Sequence, residues 1–94
     1  MSVSFDQKLG PTKDTLINVI EGESVILNIK SESYFGLDQV GTRMWTLLTT
    51  SDSIQSAFEK LLDEYDVSAD RLRADLSELV DKLLARGLLE VSSA

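Results

Sequence analysis

The spacing of apolar residues changes at Asp38, and this change restricts the fold more than any other feature of the sequence. Before Asp38, Val25, Leu27 and Ile29 alternate with other residues, a period of two that is typical of a β-strand with one more deeply buried face. After Asp38, apolar residues recur every three or four positions, as in helices that bury one face. Strands followed by helices predict an α+β domain.

The region before Asp38 predicts three strands, lying within residues 12–37. They cover the apolar run at 16–20, the alternating segment at 25–29 and the short segment Tyr34–Leu37. Glu21-Gly22-Glu23 predicts a tight turn, because Gly22 tolerates a positive φ. The connections are too short for parallel crossovers, so the sheet should be an antiparallel meander. Residues 1–11 are predicted to be either an edge strand or a loose arm.

Three amphipathic helices are predicted after the sheet. The first is capped by Asp38, and the second begins near Asp52 or Ser53, where Asp52 and Gln55 have the spacing of a capping box. Ser68 is the predicted cap of the third helix, which Gly87 ends. The segment 88–91 either adds a short strand or covers the end of the helices. The predicted fold is therefore α+β and winged-helix-turn-helix-like, a three-stranded antiparallel sheet followed by three helices, in a single domain of residues 1–94.

Composition argues against several classes of function. The chain has no cysteine and no histidine, which removes thiol chemistry, the commonest general base and the commonest metal ligand. It contains no phosphate-binding glycine loop, nucleophile elbow or zinc-ligand spacing. The carboxylates at 63–70 surround a predicted helix–helix turn and are interpreted as a solvated rim. We therefore expect no enzymatic activity, no catalytic residue, no metal site and no cofactor.

The charge distribution argues against nucleic acid as a partner. The formal net charge is −7, and residues 1–33 and 34–94 are both acidic. A nucleic-acid interface needs a clustered basic face, whereas an acidic surface suits a neutral or basic peptide. The sequence shows neither an export signal nor an apolar run of membrane-spanning length, so a cytoplasmic protein without a membrane partner is expected.

Two residues of the first predicted helix carry structural expectations. Trp45, the sole tryptophan, lies beside the apolar stripe and is interpreted as a core anchor between helix and sheet. Gly41 has low helix propensity, which predicts that the helix approaches the sheet closely at this position.

The segment from Tyr34 to Leu48 resembles the PqqD-like family, named for the pyrroloquinoline quinone synthesis protein D. The shared pattern is an aromatic strand, a Leu and a helix cap at Leu37-Asp38, a glycine three positions later, and Met44-Trp45-Thr46-Leu47-Leu48. The family usually has Asn where this chain has Asp38 and a β-branched residue where it has Met44. The resemblance extends over roughly residues 12–90.

This resemblance implies a non-catalytic recognition element for ribosomally made, modified peptides. Such a domain binds the leader segment of a precursor peptide by strand addition and presents it to pathway enzymes. The implied leader site lies between Tyr34–Leu37 and the third helix. The candidate site residues are Tyr34, Phe35, Gly36, Leu37, Arg73, Leu76, Ser77 and Val80. Leu76 and Val80 also belong to the core stripe of their helix, and the sequence leaves both roles open.

The chain is more similar to the free-standing lasso-peptide type, because it has a Glu-Gly-Glu turn and no basic N-terminal segment. The implied partners are a precursor leader peptide, a transglutaminase-like leader peptidase and, further along the pathway, a cyclase. Three alternatives remain: a peptide chaperone of the quinone-synthesis type, a winged-helix DNA-binding protein, and a structural subunit that only dimerises through its sheet edge. The acidic third helix argues against DNA binding.

Overall fold

A computed structural model of the chain describes residues 4–92 and confirms the α+β fold. Met1–Val3, part of the predicted edge strand or arm, lie outside the described residues. Within the described range the elements are β1 (Lys8–Pro11), β2 (Thr15–Ile20), β3 (Glu23–Asn28), β4 (Ser33–Leu37), α1 (Gln39–Thr50), α2 (Ile54–Glu64), α3 (Ala69–Ala85) and β5 (Leu89–Ser92).

The predicted meander forms a three-stranded antiparallel sheet in the order β2-β3-β4. The β2–β3 hairpin closes at the pair Ile20↔Glu23, and the two turn residues Glu21 and Gly22 have φ values of 54° and 84°. Two consecutive positive φ angles characterise the tight hairpin turns whose twist matches that of the strands. Strand β4 pairs with β3 in the register Ile26↔Phe35.

The first and last strands form a separate two-stranded sheet that sequence reasoning did not predict. β1 pairs antiparallel with β5, with Leu9 opposite Val91, and Leu9 is fully buried. Phe5 packs edge-to-face on Phe58 of α2, with ring centroids 6.1 Å apart. The segment from Phe5 to Pro11 is therefore packed against the rest of the fold. The segment 88–91 contributes to a strand, one of its two predicted alternatives.

The hydrophobic core lies between the inner face of the sheet and the three helices. Trp45 is only 5% exposed and belongs to this core, as predicted. The expected close approach at Gly41 is also confirmed, because a Cβ atom there would lie 3.0 Å from Cδ2 of Leu37. Ile26, at the centre of β3, is fully buried beneath the helices.

The helix caps largely follow the sequence. The side chain of Asp38 accepts a hydrogen bond from the Gly41 N–H, and Ser68 caps α3. Gly87 follows α3 with a φ of 71°, as predicted for a residue that ends a helix. The capping box of Asp52 and Gln55 is wrong: Ser53 caps α2 and accepts from the N–H of Ser56.

An ion pair joins α1 to the C-terminal end of α2. The Arg43 guanidinium donates two hydrogen bonds to the Glu64 carboxylate, at 2.9 and 2.6 Å. These hydrogen bonds lower the pKa of Glu64 and raise that of Arg43. Because the pair is solvent-exposed, its contribution to stability is small and weakens further as acid protonates Glu64. One residue of the predicted acidic rim is thus paired within the fold.

Candidate functional site

Strand β4 is an edge of the three-stranded sheet, and no strand within residues 4–92 pairs with its outer side. The hairpin register shows which of its backbone groups face outward. The pair that closes a two-residue hairpin exchanges hydrogen bonds, and such pairs alternate along antiparallel strands. Counting from Ile20↔Glu23, the bonded pair in the middle of β4 is Ile26↔Phe35. The N–H and C=O groups of Tyr34 and Gly36 therefore point away from the sheet.

Two hydrogen bonds agree with this assignment. The N–H of Ile29 donates to the carbonyl of Asp14 at 2.9 Å, which continues the same alternation past the end of β2 and β3. On the opposite edge, Nη1 of Arg86 donates to the outward carbonyl of Tyr34 at 3.3 Å. At the outer edge of β4, the carbonyl of Tyr34 therefore accepts from Arg86, and the N–H of Tyr34 and both main-chain groups of Gly36 have no strand partner within residues 4–92.

The C-terminal end of α3 is anchored beside β4. The carbonyl of Gly87 accepts hydrogen bonds from Oγ1 of Thr12 at 2.7 Å and from Nδ2 of Asn28 at 3.0 Å. The Arg86 guanidinium lies 5.1 Å from the centroid of the Phe35 ring, a cation–π distance. The end of α3 therefore lies beside the open edge of β4, and we call the space between this edge and the adjacent flank of α3 the cleft.

The helical wall of this cleft differs from the one predicted. Leu79 and Lys82 precede Arg86 by seven and four residues, so helical geometry places all three on the same flank of α3. Leu79 is half-buried and Lys82 is exposed. The sequence prediction missed these residues, although their spacing is visible, because the 3.6-residue period does not show which flank faces the strand.

The structure separates the predicted residues of β4 by face. Tyr34 is 69% exposed on the outer face of the sheet, whereas Phe35 is half-buried on the inner face beside Arg86. Leu37 is buried against α1 in the hydrophobic core. Tyr34 and Phe35 are thus placed to contact a peptide at this edge, and Leu37 supports the strand from beneath.

The predicted residues of α3 do not gather beside β4. Leu76 and Val80 are at most 1% exposed and belong to the core, which decides between their two open roles in this structure. Arg73 lies 13 residues before Arg86, which corresponds to roughly 20 Å along the helix and about 140° around it. Its guanidinium lies over the rings of Phe5 and Phe58, at 4.7 and 4.5 Å.

Ser77 shares the flank of Arg73, because it follows by four residues. It is half-buried on that side of the helix, which faces α2 and the N-terminal segment rather than the flank of Arg86. The structure therefore does not bring Arg73 and Ser77 together with Tyr34 and Phe35.

Replacing Arg73 with alanine tests this placement. We expect Arg73→Ala to lower the free energy of unfolding by about 1 kcal/mol, because two cation–π contacts at a partly exposed site are lost. The affinity of Arg73→Ala for a peptide at the β4 edge should equal that of the wild type. The Arg73→Lys variant should also keep wild-type affinity. Chemical denaturation and a peptide titration measure the two effects. A large loss of peptide affinity in a fully folded Arg73→Ala protein would show that Arg73 contacts the peptide and would contradict this placement.

Gly36 requires one correction. As a candidate site residue, Gly36 is expected to leave room for an approaching backbone, and a branched side chain there is expected either to block that backbone or to crowd the third helix. That crowding is wrong, because a Cβ atom at Gly36 would meet nothing within 4 Å. The position opens onto the outer face of the sheet, beside Val25 of β3. At this edge Gly36 therefore presents its outward main-chain groups and no side chain.

The electrostatics of the cleft differ from those of the whole chain. The chain carries a net charge of −7, yet Lys82 and Arg86 make the C-terminal end of the helical wall basic, whereas Asp75 and Glu78 lie earlier on the same flank. Among residues 4–92, no group of three or more His, Cys, Asp or Glu side chains is placed to hold a metal ion. In the same range, no helix is long and apolar enough to cross a membrane.

Comparison with solved structures finds two similar chains. One is described as "TbiB1 in Complex with the TbiA(beta) Leader Peptide", with 28% identity, a TM-score of 0.81 and coverage of 90% of this chain and 99% of that chain. The other is "Lasso peptide synthetase B1 complexed with the leader peptide", with 19% identity, a TM-score of 0.79 and coverage of 88% and 98%. At that lower identity, the second similarity supports the fold alone.

Sequence comparisons identify the family. No curated protein sequence matches the chain. The sequence profile of "Coenzyme PQQ synthesis protein D (PqqD)" matches residues 23–89, from the start of β3 to the first residue of β5. This match covers the β4 edge and all three helices, and the chain therefore belongs to the PqqD family.

Proposed function

We propose that this protein binds the leader segment of a ribosomally made precursor peptide as an added strand on β4. The observation that carries the proposal is the pair of outward backbone units at Tyr34 and Gly36, beside the end of α3. An extended peptide gains main-chain hydrogen bonds at such an edge, and its alternate side chains enter flanking pockets. Phe35 and the flank of Leu79, Lys82 and Arg86 would form the inner pocket.

The similar structures support this assignment. TbiB1 was solved with a leader peptide. The similarity covers 90% of this chain and 99% of the TbiB1 chain. Family membership agrees, since the PqqD resemblance implies a recognition element and not a catalyst. We therefore propose that the protein carries out no chemistry of its own and acts by holding its peptide.

The pathway that we propose is lasso-peptide biosynthesis. There the bound leader would be delivered to a transglutaminase-like leader peptidase and then to a cyclase. Support comes from the Glu-Gly-Glu turn, which the resemblance associates with the free-standing lasso-peptide type. The second candidate is a peptide chaperone of quinone-cofactor synthesis, which the name of the matching family favours.

The walls of the cleft limit the peptide that fits. Main-chain pairing at β4 is independent of sequence, so selectivity must come from side chains that contact the walls. Phe35 and Leu79 offer apolar surface to an inward side chain, and Lys82 and Arg86 offer cations to a carboxylate. We propose a leader with an apolar and an acidic residue two positions apart, because alternate residues of an added strand face the same side. This local preference differs from that of the whole chain, whose net charge suits a neutral or basic peptide.

Amide hydrogen exchange with a bound leader tests strand addition at single-residue resolution. We expect exchange at the amides of Tyr34 and Gly36 to slow when leader binds, because these two point outward. The amides of Phe35 and Leu37 already pair with β3, so their rates should change less. The experiment is an exchange measurement by NMR on the full chain, with leader peptides from a lasso precursor and from a quinone-cofactor precursor.

The opposite edge of the sheet supplies the internal control. Outward amides of β2 should keep their exchange rates if the leader adds at β4. Slowed exchange on β2 instead of β4, or protection confined to α2, would contradict the proposal. Saturable binding of only one of the two leaders would decide between the lasso and quinone pathways.

A further inference from the structure

Strand β2 is the most exposed apolar segment of the described chain. Five of its six residues, from Leu16 to Ile20, are exposed, and Thr15 is half-buried. Its large apolar side chains are Leu16 at 58% exposure, Ile17 at 39%, Val19 at 53% and Ile20 at 64%. Helix α1 packs over β3 and β4, and the exposed side chains on both faces of β2 show that this strand extends beyond that helix. Contiguous apolar surface of this kind marks an interaction site.

The backbone edge of β2 is also unpaired within residues 4–92. Hydrogen-bonded and non-hydrogen-bonded pairs alternate along β2 and β3. Asn18 bonds to β3 in this pattern, so the N–H and C=O groups of Ile17 and Val19 point outward. The N–H of Thr15 is already bonded to the carbonyl of Thr12 at 3.0 Å. β2 contains no proline and no lysine, the residues that natural edge strands use to prevent pairing. It therefore presents a six-residue edge with four large apolar side chains and without the usual protection.

We propose that β2 pairs with β2 of a second copy of this chain, antiparallel about a two-fold axis at Asn18. The main-chain groups of β2 that point outward belong to its odd-numbered residues. Hydrogen bonds between two β2 strands therefore require odd-numbered residues of one copy to lie opposite odd-numbered residues of the other. The register Ile17↔Val19 makes both copies use the groups that are free, and each such pair exchanges two hydrogen bonds. Leu16 then lies opposite Ile20 of the second copy, and Asn18 faces its own counterpart.

Charge complementarity favours a second copy over an unrelated strand. Lys13 precedes β2, and the acidic turn Glu21-Gly22-Glu23 follows it. In an antiparallel pair with the proposed register, Lys13 of one copy lies beside the acidic turn of the other, and the two-fold axis repeats this contact. The strand register ends at Leu16 opposite Ile20, so Asp14, in the turn before β2, also lies near the acidic turn and offsets part of the attraction of Lys13. Charges of opposite sign across strands stabilise pairing.

The arrangement leaves the proposed leader edge free. Pairing through β2 produces one six-stranded sheet in the order β4-β3-β2-β2-β3-β4, with a β4 edge at each end. Each copy retains its own cleft beside Arg86. The dimer therefore goes beyond the proposed function and is tested independently of it, with an expected stoichiometry of one leader per chain.

The test is sedimentation equilibrium of the full chain over a concentration series up to the millimolar range, without any peptide. We expect a reversible monomer–dimer equilibrium. Val19→Pro removes an outward N–H of β2 and should weaken dimerisation by about tenfold or more. Gly36→Pro makes the equivalent change on the β4 edge and should leave dimerisation unchanged.

Charge reversal examines the register and keeps the test valid if Val19→Pro does not fold. Lys13→Glu and Glu21→Lys should each weaken the dimer several-fold, and the double variant should restore it. A chain that stays monomeric throughout would overturn the proposal. So would a dimer that tolerates folded Val19→Pro, or one that the double reversal does not restore.

Discussion

A protein with proline in place of Gly36 should bind leader peptide about tenfold more weakly, or worse, while it remains folded. Gly36 lies on an edge strand with its N–H directed outward, so proline removes no hydrogen bond of the sheet itself. Among the described glycines only Gly22 and Gly87 have positive φ, so position 36 is outside the left-handed region that proline cannot adopt. The complex would lose the hydrogen bond from the N–H of residue 36 to a carbonyl of the leader. That leader carbonyl would stay unsatisfied at a cost of about 1–3 kcal/mol.

Gly36→Ala is the matched control. Alanine retains the N–H, and its Cβ atom would meet nothing within 4 Å, so wild-type affinity is expected. The measurement is a titration of labelled leader against all three proteins, each with its circular dichroism spectrum and thermal transition recorded. If Gly36→Pro is folded and binds as tightly as Gly36→Ala, the leader does not add as a strand at this edge.

The second large effect concerns stability. Trp45→Ala should lower the free energy of unfolding by about 3–5 kcal/mol, the usual cost of removing a large buried aromatic side chain. Trp45 is 5% exposed and packs in the core between the helices and the sheet. Its removal would therefore leave a cavity inside the core. A domain of this size has a total stability of roughly 5–15 kcal/mol, and the loss would therefore unfold a substantial fraction at elevated temperature.

Trp45→Phe provides the comparison, because it preserves an aromatic ring and should cost less than the alanine change. Urea denaturation measures both variants, and the leader titration is repeated below their unfolding transitions. Unchanged stability together with lost leader binding would make Trp45 a peptide contact, contrary to its position in the core.

The sequence predicted most local features of this protein. The caps at Asp38 and Ser68 and the helix end at Gly87 were each recognisable, because a cap is a hydrogen bond between residues a few positions apart. Gly41 was also recognisable as a close approach, since glycine inside a helix needs a packing reason. The capping box at Asp52 failed because Asp52 and Ser53 are adjacent and both are preferred N-cap residues, so residue type alone does not choose between them.

Residue roles in the candidate site were less predictable. Arg73 was assigned to the site, and Leu76 was left open between site and core. The structure places Leu76 in the core and Arg73 over Phe5 and Phe58. An amphipathic helix has a buried stripe with two flanks, and its sequence is compatible with a strand beside either flank. The contact of Arg86 with Tyr34 and Phe35 identifies the flank, and it joins residues about 50 positions apart.

By itself, the sequence determined the order of strands and helices, the positions of most helix ends and the identity of Tyr34–Leu37 as a strand, because periodicity, turns and caps are local. Only the tertiary structure decided the pairing of β1 with β5, the outward direction of the Tyr34 and Gly36 amides, and the exposure of β2. Those properties depend on register and on which elements cover one another, so they follow from contacts between distant residues rather than from any short segment.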